Sequence, residues 1–195
     1  MRLARLRRII SFTRDDGFSL VEAIVAAGLM AGALASLGQM LAISVANNRS
    51  ARARSDATVL AQQKMEQLRG LTWSVGVSGL PISDTATDTA APIEMPTGGT
   101  GLSRSPGNTL TSNTNGWVDY VDRSGNVLGG GIATPAGAVY VRRWAVEPLP
   151  SSPSDTIAIR VLVRPIERRE GDSRMPAARW PDEARLVSIK TRKSQ

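Results

Sequence analysis

The sequence contains neither cysteine nor histidine, and these two absences exclude several classes of protein. Without cysteine there is no disulfide framework, no thiol nucleophile and no thiolate metal ligand. Without histidine the chain lacks the usual general base and the commonest metal ligand, which excludes Ser–His hydrolases and nearly all zinc enzymes. Aromatic residues make up only 4% of the 195 residues, too few for a nucleic-acid module that stacks bases.

Negative charge is also scarce, because 24 basic residues face 17 acidic ones and leave a net charge of +7. Five arginines and two aspartates fall within residues 1–16, so this short arm carries +3 of that total. The remaining 179 residues carry +4, which is ordinary for a protein surface. The basic character therefore belongs largely to an N-terminal arm, and no nucleic-acid partner is expected.

What the chain does have is a long apolar run, Ala23–Ala46, with 24 residues and no charge. A helix needs about 20 such residues to cross a bilayer, and the apolar part of a secretory signal has only about 7–15. A buried core helix is the alternative, but no other part of the chain can surround a helix that is apolar on all sides. The arginines before the run predict a cytoplasmic N-terminus, although Arg49, Arg52 and Arg54 after it oppose that orientation.

Small residues are frequent within the apolar run, and Gly28 and Gly32 form a G-x-x-x-G pair. Small side chains let helix backbones approach closely in lipid. The alternative is that glycine and alanine are simply common in membrane helices. The pair predicts helix packing at this surface.

A carboxylate, Glu22, stands at the start of the apolar run. At the centre of a membrane helix such a group costs about 2.5–3.5 kcal/mol, and less near the interface. Glu22 is therefore either an interfacial acid that reaches toward water or one that awaits a positive partner. The residues around it read Asp16-Gly17-Phe18-Ser19-Leu20-Val21-Glu22. With a basic leader before it and the apolar run behind it, this segment resembles the processing site of the type IV pilin and pseudopilin family.

That resemblance implies a role for each residue of the segment. A membrane-embedded prepilin peptidase would cut after Gly17 and methylate the new N-terminus at Phe18. Glu22 would pair with the N-terminal ammonium of a neighbouring subunit during filament assembly. The remaining positions of the processing motif would be Ser19, Leu20 and Val21.

The resemblance also implies a location and partners. The protein would be a single-pass protein of the bacterial inner membrane, with its C-terminal domain extracytoplasmic, and would later join a type IV pilus or a periplasmic pseudopilus. Its partners would be the prepilin peptidase, other pilin or pseudopilin subunits, the inner-membrane assembly platform and the lipid bilayer. It would be structural, with no enzymatic activity, cofactor or metal. Two features depart from the family: the leader, residues 1–17, is long, and Asp15 and Asp16 stand where a basic residue is frequent.

The helix is predicted to continue through residues 47–70. The segment has no proline, and its apolar residues recur at helical spacing on one face, at Ala57, Leu60, Ala61, Met65 and Leu68. Gly70 is expected at the C′ position that ends the helix. The stretch Ala61–Leu68, AQQKMEQL, resembles the equivalent position in V-class minor pilins and in the I-class pseudopilin of type II secretion.

Residues 71–195 are predicted to form a β-rich globular domain. Glycine, serine, threonine, proline and asparagine dominate residues 74–116, which predicts a long loop with a short strand near Val75–Val77. Alternating apolar residues predict four strands, at Trp117–Val121, Ala138–Glu147, Thr156–Arg164 and Arg185–Thr191. A helix laid on a small antiparallel sheet buries these faces, so the fold class is α+β. The resemblance implies the same pilin-like lollipop, with residues 18–46 as the membrane half of its helix and 47–70 as the amphipathic half.

Two further groups of charged residues are candidate sites. Asp119, Asp122 and Asn126 suggest a calcium loop, but their spacing is not that of an EF-hand and acids are ordinary at hairpin turns, so turn chemistry is favoured. The basic clusters Arg142–Arg143 and Arg164–Arg169 are interrupted by acids, so solvated faces are predicted for them.

Three functions therefore stay open on the sequence. The leading one is a minor pilin or pseudopilin subunit. The second is a single-pass membrane anchor that carries an unrelated extracytoplasmic binding domain. The third is an enzyme that works with carboxylates or lysine alone, which the missing histidine and cysteine make the weakest.

Overall fold

The structure is a computed structural model that describes residues 19–92, 96–166 and 182–194. Within these residues the chain forms one helix followed by eight strands. The chain divides into two compact units between Ala46 and Asn47. The second unit combines helix with antiparallel sheet, so the predicted α+β class is confirmed.

The helix, α1, is Leu20–Gly70 and has 51 residues. It contains no proline and many alanines, which favours an unbroken helix. Gly70 is the last helical residue and is not left-handed, so its predicted C′ position is wrong. Lys190 instead caps this end, because its ammonium donates to the carbonyls of Arg69 and Leu71, which have no partner within the helix.

Five strands form the main sheet, in the order β4-β3-β5-β6-β7, and every neighbouring pair is antiparallel. Their bounds are β3 Val118–Val121, β4 Val127–Gly130, β5 Tyr140–Pro148, β6 Thr156–Pro165 and β7 Ala184–Thr191. All four predicted strands are confirmed to within one or two residues at each end. In β5 and β6 most residues are buried, whereas in β7 half-buried residues alternate with exposed ones.

A smaller sheet has the order β2-β1-β8. Its strands are β1 Trp73–Val75, β2 Pro81–Ser83 and β8 Lys193–Ser194, with β8 parallel to β1. The short strand predicted near Val75–Val77 therefore lies two residues earlier. The segment predicted as loop, 74–116, contains β2 as well, because β1 supplies it with a hydrogen-bonding partner.

Beyond β2, the described residues of this segment are held by hydrogen bonds without forming a further strand. The Asp84 carboxylate accepts hydrogen bonds from the Ala86 and Thr87 amides at 3.1 and 3.0 Å. The Ser105 amide donates to the Val146 carbonyl at 2.9 Å, and the Val146 amide donates to Ser105 Oγ at 3.1 Å. The segment is thereby fastened to β5.

The main core lies between the amphipathic half of α1 and the inner face of the five-stranded sheet. From the helix it takes all five predicted residues, Ala57, Leu60, Ala61, Met65 and Leu68. From the sheet it takes Val121, Tyr140, Trp144, Val146, Ile157, Ile159, Val161 and Val163. A fully buried aliphatic side chain contributes about 1.5–3 kcal/mol, so this face holds the helix on the sheet.

Candidate functional site

The described part of the N-terminal motif lies at the start of α1. Ser19 precedes the helix, and its carbonyl accepts a hydrogen bond from the Ala23 amide at 3.0 Å. Leu20, Val21 and Glu22 form the first turn and are exposed. Gly17 and Phe18, where cleavage and methylation are predicted, lie outside the described residues. The arrangement leaves the Glu22 carboxylate open to another molecule.

The apolar half of α1 is long and apolar enough to cross a membrane, by length and composition, and none of that stretch is buried within the chain. Gly28 and Gly32 are exposed, and a Cβ atom added to either would meet nothing within 4 Å. The hydroxyl of Ser36 donates to the Gly32 carbonyl at 2.8 Å, which satisfies this polar group inside the helix. The surface is open to close approach by another helix, while packing against one stays a prediction.

The second unit holds a buried ion network that joins helix to sheet. Lys64 comes from α1, Asp119 from β3 and Arg142 from β5, and each is 5% exposed or less. Lys64 Nζ lies 2.7 Å from Asp119 Oδ2. The Arg142 guanidinium binds the same carboxylate with two hydrogen bonds, of 2.7 and 2.8 Å. Two cations therefore share one carboxylate in a buried site.

The Lys64 ammonium has further partners around it. It donates to Thr89 O at 2.6 Å and to Gln67 Oε1 at 2.9 Å. It also lies 4.0 Å from the centre of the Trp144 ring, within the range of a cation–π contact. Burial lowers the pKa of Lys64 from 10.5 to about 8, Asp119 acts to raise it and Arg142 adds to the lowering. The network is well hydrogen-bonded, but the lowered pKa of Lys64 shows that its buried charge is still less favourable than in water.

The solvated face predicted for Arg142–Arg143 is wrong, because both side chains are buried. Successive residues of a strand point to opposite faces, so the two arginines serve different neighbours. Arg142 meets Asp119 on the helix side of the sheet, whereas Arg143 donates to Asn113 Oδ1 at 3.0 and 2.7 Å. Burial and nearby Arg164 lower the pKa of Arg143 to about 10. Of the second cluster, Arg164 is half-buried and residues 167–169 lie outside the described residues.

The acids considered for calcium are not brought together. Asp122 Oδ1 accepts from the Ser124 and Asn126 amides at 2.8 and 2.9 Å, and Oδ2 accepts from Asn126 Nδ2 at 2.9 Å. These bonds lower the pKa of the Asp122 carboxyl, and the turn interpretation of Asp122 and Asn126 is confirmed. Asp119 lies in β3 and not in the turn, so the same interpretation is wrong for that residue. In the described ranges no group of three or more acidic side chains is placed to hold a metal ion.

The sequence did contain signals for the network that it did not predict. Lys64 lies one helical turn from both Leu60 and Leu68, in the middle of an apolar face. Arg142 lies two residues from Tyr140 and from Trp144, which are both core residues, so strand alternation places it on the same side. A charged residue that shares the helix or strand spacing of the core residues is therefore a sequence signal for a buried ion pair.

The features that bear on a family are therefore the residues before and at the start of α1, together with the α+β second unit. The motif is short, and its cleavage position lies outside the described residues. Comparison with protein-family models, with curated proteins and with solved structures finds no match to this chain.

Proposed function

We propose that the protein is a minor pilin or pseudopilin subunit, which a prepilin peptidase processes and which then enters a type IV pilus or type II secretion filament. One observation carries the proposal: the segment Gly17–Glu22 comes directly before 24 uncharged residues. A basic arm precedes the segment, as a cytoplasmic leader requires. The protein is in this view structural and a substrate of processing, not an enzyme.

The position of Glu22 supports this proposal. It is the single acidic residue from Ser19 to Ser55, and it lies exposed in the first turn of α1. An anchor needs only apolar residues there, and a carboxylate makes insertion less favourable. A cationic partner would explain why a carboxylate stands at this position.

Processing would create that partner. Cleavage after Gly17 leaves an ammonium on Phe18, and this group would pair with Glu22 of a neighbouring subunit. Two opposite charges at low dielectric attract strongly, and each offsets part of the other's desolvation cost. Because the ammonium at Phe18 exists only after cleavage, uncut subunits would be excluded from the filament. The orientation follows, with the leader cytoplasmic and the second unit extracytoplasmic.

The test is processing in cells that co-express a prepilin peptidase. We expect the wild-type chain to lose residues 1–17 and to begin with methylated Phe18, as read by mass measurement and N-terminal sequencing. Gly17→Val should leave the uncut precursor in the membrane, because a branched side chain hinders the extended backbone at the scissile bond. Gly38→Val, at an exposed glycine with open space around it, is the control and should be cut normally.

Two outcomes would contradict the proposal. Cleavage of Gly17→Val as fast as wild type would remove the site assignment. A mature protein that still begins at Met1 or Arg2 would favour the membrane anchor with an unrelated extracytoplasmic domain.

A further inference from the structure

Lys64 is the one charged side chain among the buried residues of α1 in the described structure. Leu60 and Leu68 flank it by one turn, and Ala61 and Met65 lie beside it. Burial of apolar area is non-directional, and cores held by it alone lose uniqueness of packing before they lose stability. An apolar face of this kind therefore does not by itself specify a single packing on the sheet.

The contacts of Lys64 are directional in a way that the apolar contacts are not. Its ammonium donates to acceptors in three separate segments, at Gln67 in α1, Thr89 in the 84–92 segment and Asp119 in β3. It also lies over the Trp144 ring of β5. An ammonium has only three N–H donors, and here the acceptors lie in three separate segments, so a shift of the helix or of the 84–92 segment would lengthen at least one of these contacts.

The same contacts are poorly suited to adding stability. Asp119 already receives two hydrogen bonds from Arg142, so it does not need Lys64 for pairing. Lys64 adds a second cation to one carboxylate in a buried site, and burial is the largest cause of its lowered pKa. Buried ionic groups often contribute no more stability than apolar residues of similar volume, and fixing a register is their best-attested use.

We propose that Lys64 is a positioning residue, which selects one packing of the helix face on the sheet and one attachment of the 84–92 segment without adding net stability. Lys64 and all of its partners belong to the second unit, so this role is independent of the proposed function. The charge thereby has a conformational role that an apolar residue of the same size cannot fill.

The experiment replaces Lys64 by methionine in the full chain held in detergent micelles. Met has nearly the length of Lys, and Asp119 keeps both bonds from Arg142. Leu68→Met, on the same buried face, is the matched control. The unfolding midpoint is measured at pH 7, together with the indole N–H signal of Trp144 and the amide exchange rates of Ala90 and Val163. Ala90 reports on the 84–92 segment, and Val163 reports on the sheet.

We expect Lys64→Met to unfold at the same midpoint as Leu68→Met or higher. Its Trp144 indole signal should split or broaden, and Ala90 should exchange at least tenfold faster while Val163 is unchanged. Lys64→Leu is measured alongside. The Trp144 signal and the exchange rates are then read from whichever Lys64 variant keeps the unfolding midpoint of Leu68→Met.

Two results overturn the proposal. An unfolding midpoint below that of Leu68→Met, or a failure to fold, in both Lys64 variants would show that Lys64 stabilises the fold. A single sharp Trp144 signal with unchanged Ala90 exchange, in a folded variant, would show that Lys64 selects nothing.

Discussion

At the scale of single residues, the ammonium of Lys64 is surrounded by charged groups from three other parts of the chain. Asp119 and Asp88 act to raise its pKa, while Arg142 and above all burial lower it. The balance leaves the folded-state pKa near 8, below the 10.5 of an exposed lysine. Folding is therefore linked to a proton in a range that experiment reaches easily.

The first prediction is a rise of stability with pH above about 8. Below pH 8 both states hold the Lys64 proton, and the folded state bears the full cost of the buried charge. Between pH 8 and 10.5 the unfolded chain keeps this proton and the folded one loses it, so the free energy of unfolding increases. The total is about 3 kcal/mol from the size of the pKa shift.

The measurement is chemical unfolding of the wild type and of Lys64→Met from pH 7 to 10. Tyr140, whose pKa is raised by burial and by Asp56, is present in both proteins, so their difference isolates Lys64. Parallel profiles for the two proteins would contradict the prediction.

At the scale of elements, one face of α1 decides whether helix and sheet stay together. Leu68 is fully buried on this face, whereas Val59 is 50% exposed on another. Both are aliphatic residues of the same helix, so they separate the contribution of packing from that of helix formation.

The second prediction compares Leu68→Ala with Val59→Ala. Leu68→Ala should lower the free energy of unfolding by about 2–5 kcal/mol, because it leaves a cavity against the sheet. Val59→Ala should change it by no more than about 0.5 kcal/mol, since alanine favours helix and little burial is lost. Urea unfolding of the full chain in micelles measures both, and equal losses would argue against the core described for this helix.

At the scale of the whole molecule, residues 20–46 form an apolar and exposed stretch of helix, whereas the unit that begins at Asn47 has its own core. The third prediction is that a chain beginning at Arg49 is soluble and folded, because it keeps the helix face that covers the sheet. Its circular dichroism should show both helix and strand. A chain beginning at Thr72 is the control and should fail to fold, since the apolar sheet face is left uncovered. A disordered spectrum for the Arg49 chain would contradict the prediction.

Assembly is the second property of the whole molecule, and its prediction depends on the proposed function. Glu22→Leu removes a polar group from the apolar segment, so membrane insertion should be unharmed or improved. The neighbouring ammonium would lose its partner at a cost of about 3–5 kcal/mol, which lowers incorporation into filaments by orders of magnitude.

The measurement pairs the membrane fraction with sheared filaments or cross-linked complexes. Glu66→Leu is the control, because it removes an exposed carboxylate from the same helix outside the apolar segment. If Glu22→Leu entered filaments as well as the wild type, the pairing mechanism would be contradicted and Glu22 would be an interfacial acid.

The sequence by itself determined the features that depend on near neighbours along the chain. The amphipathic half of the helix with its five apolar core residues and four of the five strands of the main sheet were predicted because each follows a period of 3.6 or 2, whereas β4, Val127–Gly130, was not predicted. The turn at Asp122 and Asn126 was predicted because the hydrogen bonds that form it join residues four positions apart in the chain. The motif around Glu22 is also local, and its functional meaning stays a prediction.

Only the tertiary structure decided which partners the buried charges bind. Lys64, Asp119 and Arg142 come from a helix and two strands, and no local pattern states that these three will meet. The pairing of β8 with β1 and the capping of α1 by Lys190 likewise join distant segments. The physical reason is that the cost of burying a charge or a carbonyl depends on partners brought from elsewhere in the chain, and those partners exist only after folding.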